Sequence, residues 1–195
     1  MARPRSFSDE RILEVARDML LERGPRVSAQ EIADRLEMSQ AGLLKRFGSK
    51  KNLLIRALLP PGDPDWIRLI RAGPTAEPIE NQLVEVFSSL IKFFRLVTPL
   101  LSVMRSSGIN PAEVGRSLPQ TPPVRDLREL TAWLDRCVEK GFLSQGNSPS
   151  LALIILSSFQ TPSFLIHLGI PTTVLPAEDL YVNVLVDLIL RRDRS

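Results

Sequence analysis

SAQEIADRLEMSQAGLLKRF, residues 28–47, is the stretch on which the reading of this chain turns. Ser28 followed three residues later by Glu31 is a capping box that opens a helix. Ile32, Ala33 and Leu36 then fall on one side of it, and Ala33 is small enough to let a second helix cross closely. Glu37 and Met38 make a turn. Ser39 caps the second helix, whose inner side is Leu43, Leu44 and Phe47 and whose outer side is Gln40, Ala41, Lys45 and Arg46. Two short helices about a tight turn, with a basic pair on the second, form the pattern of a helix-turn-helix. In that unit the second helix enters the DNA major groove.

Upstream, Ser8 reads as an N-cap followed by Asp9 and Glu10, where the helix dipole favours acids. Phe7 and Ile12 have the spacing of a hydrophobic staple. Ile12, Ala16, Met19 and Leu20 share one face of a helix that ends near Arg23, before Gly24-Pro25. Downstream, Gly48 ends the second helix and Ser49 caps another, with Leu53, Leu54, Ala57 and Leu58 on one side. Lys50 and Lys51 lie in its first turn, where cations oppose the dipole. That cost disappears when a phosphate sits at the helix N-terminus; otherwise the two are exposed lysines that cost a few tenths of a kcal/mol.

Pro60-Pro61-Gly62-Asp63-Pro64 divides the chain into residues 1–60, carrying the helix-turn-helix, and residues 61–195. The second part reads as helices throughout, so the fold class is all-α. A short helix runs from Asp65 to Arg71, before Gly73-Pro74. Further helices are expected over 78–97, 99–107, 124–140, 149–169 and 176–192. Residues 108–123 are rich in Gly, Pro and Ser and read as irregular, with one turn at 111–117.

Charge follows the same division. Residues 1–56 hold 12 Lys/Arg against 8 Asp/Glu, and residues 57–195 hold 13 against 14, so the basic excess lies with the helix-turn-helix. With Cys137 and His167 the only cysteine and histidine, a disulfide framework is excluded and a Cys/His metal cluster is not expected. No Ser/His/Asp set and no glycine-rich phosphate loop is present, so neither an enzyme nor a cofactor is expected. MARPRSFSDE at the start has no apolar core, which points to the cytoplasm. Residues 141–177 contain no charged side chain. Their centre, 151–170, has the length of a membrane span. Ser157, Ser158, Gln160, Pro162 and His167 interrupt it, so it reads as a buried or subunit-interface helix rather than a membrane helix.

ILEVARDMLLERG (12–24), SAQEIADRLEMS (28–39) and LLKRFGSKKNLLIRAL (43–58) together resemble the TetR-type, or tetracycline-repressor-like, transcriptional regulators. The resemblance implies an N-terminal three-helix DNA-binding domain followed by a helical ligand-binding and dimerisation domain. Its last two long helices would pair with a partner's in a four-helix bundle. Members often carry Gly at the place of Glu37, Thr at Gly42 and Tyr at Leu44. A non-glycine residue held left-handed costs about 1–2 kcal/mol, and Gly within a helix costs about 1 kcal/mol. Gly42 and Leu44 also lack the hydroxyls that often contact the DNA backbone.

Resemblance and geometry together place Gln40, Ala41, Lys45 and Arg46 against base edges. Ser28, Ser39 and Lys50 would hold phosphates. Arg3 and Arg5 would form an arm reaching the minor groove, or a free tail. A homodimer through the helices near 149–169 and 176–192 would read a pseudo-palindromic operator. Phe87, Phe94, Met104, Trp133, Phe159, Phe164 and His167 are candidates for an effector pocket, with Gln160 and Cys137 as polar contacts; aromatic residues and Met at this spacing more often read as plain core. The expectation is a repressor released by a small, largely apolar ligand. The alternative is a helical ligand-binding or scaffold protein with lost or altered DNA binding, motivated by Glu37, Gly42 and Leu44.

Overall fold

A computed structural model describes residues 7–59, 62–117 and 121–191, and among them all regular structure is helical. The α-helices are α1 (Asp9–Arg23), α2 (Ala29–Arg35), α3 (Gln40–Phe47), α4 (Lys50–Leu58), α5 (Asp65–Ala72), α6 (Ile79–Ser106), α7 (Pro111–Ser117), α8 (Pro122–Glu139), α9 (Ser148–His167) and α10 (Glu178–Arg191). They belong to two units. The first takes the described residues up to Gly62 together with 99–117, and the second takes Asp63–Thr98 and 121–191.

In the first unit each of α1 to α4 starts on a serine. The Ser8, Ser28, Ser39 and Ser49 hydroxyls accept from the backbone N–H groups of Arg11, Glu31, Gly42 and Asn52. These bonds satisfy donors that a helix start otherwise leaves orphaned. Behind the caps, Ile12, Ala16 and Leu20 of α1 meet Ile32 and Ala33 of α2, Leu43 and Phe47 of α3, and Leu53, Leu54, Ala57 and Leu58 of α4. The same core takes Leu100 and Met104 from the end of α6, Ile109, and Val114 of α7. Residues 99–117 pack with the N-terminal helices because their buried apolar positions complete that core.

The helices expected over 78–97 and 99–107 are one helix, α6, running through Pro99. A proline removes one intrahelical N–H and crowds the carbonyl four residues earlier. Here that carbonyl belongs to Arg95, which with Leu96 is exposed, so water can take up the freed acceptor. Leu83, Val86, Phe87 and Leu90 anchor one side of the proline, and Leu100 and Met104 the other.

The second unit packs Trp66, Ile67 and Ile70 of α5, the first half of α6, Leu130, Trp133, Leu134 and Cys137 of α8, Ala152, Ile155 and Phe159 of α9, and Val182 and Val186 of α10. Burial pushes the Cys137 thiol up to about 12. Helices α5 and α8 are also stitched by polar contacts. Arg136 donates to the carbonyls of Ile70 (2.7 Å) and Gly73 (3.2 Å), and Lys140 to that of Pro74 (2.6 Å), at the end of α5 where carbonyls lack helical partners.

Helices α6 and α9 are each long and apolar enough to cross a membrane by length and composition. Each also sends a row of side chains into the core. Outside the core, α9 exposes Leu153, Ile154 and Phe164, and α10 exposes Leu180, Val184 and Leu188.

Candidate nucleic-acid interface

The turn between α2 and α3 is a Schellman motif. The Met38 N–H donates to the Ala33 carbonyl (3.0 Å) and the Glu37 N–H to the Asp34 carbonyl (3.1 Å). Met38 packs, partly buried, against the first-unit core. The position usually given to glycine holds Glu37 at φ 49°. The turn keeps its usual geometry, and the left-handed backbone cost is borne. Glu37→Gly is therefore expected to raise unfolding free energy by about 1 kcal/mol. Urea denaturation checks this; an unchanged or lower midpoint would refute it.

α3 buries Leu43 and Phe47, half-buries Leu44, and exposes Gln40, Ala41 and Lys45. At Gly42 a side chain would begin 3.0 Å from Ser39 Oγ, so glycine there leaves the N-cap uncrowded. Gly48, at φ 81°, ends the helix and donates to the Leu44 carbonyl (2.7 Å). Ser49 then starts α4, which sets Lys50 and Lys51 on the surface beside Pro25, Ser107 and Ile109, around a depression of about 250 Å³.

Ser28 is engaged within its own helix. Its N–H and its hydroxyl both donate to Glu31 Oε2 at 2.8 Å, and its oxygen accepts from the Glu31 N–H at 3.1 Å. Its hydroxyl proton is thus committed to Glu31 rather than free for a phosphate. The backbone and hydroxyl donors of Ser28, joined by Arg23 at 2.6 Å, hold the Glu31 carboxyl down at about 2. A carboxylate depressed in the folded state stabilises above its unfolded value, and that contribution is lost as pH falls through the folded one. Glu31→Gln keeps the cap's shape and removes the titration. The gap in melting temperature between the two proteins is expected to be constant at neutral pH and to close as pH falls from 4.5 to about 2. A gap independent of pH would refute it.

The other cations divide into two groups. Arg11 pairs with Glu14 (2.7 Å), and Arg17 donates to the carbonyls of Ala57 (2.8 Å) and Leu59 (3.0 Å). Arg46, expected against base edges, is tied instead to the start of α1: it donates to the Phe7 carbonyl (2.6 Å) and pairs with Asp9. Arg56 of α4 reaches the same carboxylate (3.0 Å) and lies over the Phe47 ring, 4.8 Å from its centroid. Burial pushes the Asp9 carboxyl up, and the hydrogen bonds from Arg56 and Arg46 outweigh it, leaving it below the usual carboxylate range. Among the described residues no ion pair involves Lys45, Lys50 or Lys51. Sequence reasoning missed Asp9 in this role because its partners lie far along the chain, beyond any local pattern. Arg3 and Arg5 lie outside the described residues.

The residues expected to form an effector pocket do not line one cavity. Phe87, Trp133 and Phe159 are buried in the second unit, with the rings of Phe87 and Phe159 5.0 Å apart. Phe94 is half-buried against Phe93, Met104 lies in the first-unit core, and Phe164 and His167 are exposed. Plain core packing accounts for the buried ones. Phe159 does border a cavity of about 180 Å³ with Ile91, Pro162, Ile166, Leu175 and Tyr181, and the Arg95–Glu178 ion pair stands on its polar side. Trp133 borders a second hollow, of about 540 Å³, with Leu69, Gln82, Glu85 and Val86.

The family of bacterial regulatory proteins, tetR family, matches at residues 12–57. Likeness to solved structures extends over nearly all of the chain. PfmR, a TetR-family transcriptional regulator from Thermus thermophilus, is 25% identical, with 93% of this chain and 97% of that chain covered at a TM-score of 0.59. A TetR-like transcriptional regulator from a Rhodococcus species is 17% identical, with 98% of each chain covered at 0.58. The flavonoid-responsive regulator FrrA is 18% identical, with 94% and 93% covered at 0.61. No curated protein matches the chain.

Proposed function

We propose that the chain, which matches the tetR family of bacterial regulatory proteins over residues 12–57 and is similar in fold to TetR-family regulators, is a homodimeric repressor of a pseudo-palindromic operator, released by a small, largely apolar ligand. The observation that carries this reading is the outer face of α3. Gln40, Ala41 and Lys45 are exposed there, and Lys45 has no ion-pair partner among the described residues. Gln pairs with adenine, Lys with guanine, and an alanine methyl touches thymine. Ser39 and Lys50, with Lys51 beside it, stand where they can hold phosphates and set the register.

One α3 offers few base contacts, so specificity needs two half-sites. The apolar side chains that α9 and α10 leave exposed support a two-fold contact between copies of the chain. The cavity beside Phe159 supports the effector reading. Its volume of about 180 Å³ is below the roughly 300–1,000 Å³ of drug-sized sites, so it suits a small ligand, and its walls are mostly apolar. Such a ligand weakens DNA binding only by the difference in its affinity for the DNA-competent and incompetent conformations.

The test is equilibrium binding of the purified protein to the DNA upstream of its own gene and to a shuffled fragment, at physiological salt. The expected result is a preference of about a thousandfold for the native fragment. Equal binding to both would overturn sequence-specific recognition at that site.

A further inference from the structure

We propose that Asp9 is a positioning residue that holds Arg46 away from the DNA backbone, and so limits binding to non-operator sequences. The inference rests on the DNA-binding reading above and adds a determinant of sequence-independent affinity. α3 carries two adjacent cations that the fold treats differently. Lys45 is unpaired among the described residues, while the Arg46 guanidinium is held by the Asp9 carboxylate and the Phe7 carbonyl. Asp9 stands in the first turn of α1, where the helix dipole favours a negative charge. Its second partner, Arg56, is braced over Phe47. One carboxylate therefore faces two arginines from two helices, and both arginines are fixed in direction.

The consequence follows from how DNA binding divides. Phosphate contacts attract any sequence, and base contacts discriminate. An arginine at the end of α3 that was free to swing outward would add a phosphate contact on every sequence alike. Paired to Asp9, it adds none. Discrimination is then left to Gln40, Ala41 and Lys45, with less background from the shared electrostatic attraction.

Asp9→Asn tests this, because it keeps the side chain's size and its place in the first turn while removing the charge. Affinity for operator and shuffled DNA is measured across a series of salt concentrations, with thermal melting to establish that each variant is folded. Asp18→Asn, an equal charge change at an exposed position of the same helix, is the control. For Asp9→Asn the plot of log affinity against log salt on shuffled DNA is expected to steepen by about 2 per dimer, one freed arginine on each protomer at roughly 0.9 per contact. Affinity for shuffled and operator DNA is expected to rise by a similar factor, so that their ratio stays as in the wild type. Asp18→Asn should keep the wild-type slope, and Asp9→Asn with Arg46→Ala should return to it. An unchanged slope in Asp9→Asn, or a steepened slope that survives Arg46→Ala, would overturn the proposal. Absence of DNA binding by the wild-type protein would instead overturn the functional reading on which it rests.

Discussion

Leu153→Glu combined with Leu188→Glu is expected to give a folded monomer that loses about a thousandfold in operator affinity. Leu153 on α9 and Leu188 on α10 are 57% and 60% exposed, so a glutamate at either place stays in water in the isolated chain and costs the fold little. At a two-fold interface the same positions come from both copies, and four carboxylates would have to leave water without partners. Burying each unpaired charge costs several kcal/mol even after relaxation, and four together offset most of the roughly 8–16 kcal/mol that contacts of ordinary size leave in surplus. Without the dimer the second α3 is no longer held near the second half-site, and the gain from effective concentration, on the order of 100- to 10,000-fold, is lost. Light scattering reads the mass and operator titration reads the affinity. A double variant that remains a dimer would place the interface on another surface.

The second large effect is expected at Lys45. On the reading proposed above, its replacement by alanine would remove one base contact worth about 1–3 kcal/mol. Two copies act on one operator, so the loss counts twice, amounting to roughly 30- to 20,000-fold in affinity. Binding to shuffled DNA should fall far less, because a base contact contributes little there. A competition titration on both DNAs separates the two. If Lys45→Ala weakened both equally, Lys45 would be a phosphate contact and the base-reading face of α3 would reduce to Gln40 and Ala41.

How legible each part is depends on how far its causes reach along the chain. Ser8, Ser28, Ser39 and Ser49 can be read as N-caps because each cap closes on a backbone N–H three residues away. The apolar rows of α1, α2 and α4 are equally plain, since a buried face repeats at helical spacing. Pro99 misleads because a proline is a local signal for a break, whereas its tolerance depends on what anchors the helix on either side. The placement of residues 99–117 with the N-terminal helices is hidden for a similar reason: Leu100, Met104, Ile109 and Val114 fill a core built by residues more than forty positions away. At the candidate DNA surface, exposure of Gln40, Ala41 and Lys45 follows from helical periodicity. The capture of Arg46 by Asp9 does not, because it joins the first turn of one helix to the last turn of another. The aromatic residues named for a pocket are the least legible. Phe87, Trp133 and Phe159 have the same spacing and chemistry whether they line a cavity or fill a core, and only packing tells the two apart.

Cys137 has a practical consequence. Thiol reagents and oxidants act on the thiolate, and a thiol held at about 12 by burial is ionised to only about one part in 100,000 at neutral pH. Labelling of the folded wild-type chain by maleimide is accordingly expected to be slow. One cysteine introduced at exposed Glu22 on α1 would carry a spin label or a fluorophore at a single site per protomer, with no native thiol to remove first. Pulsed dipolar spectroscopy on such a protein would report the separation of the two DNA-binding units of a dimer directly, and a panel of candidate effectors could be ranked by how far each one changes that distance.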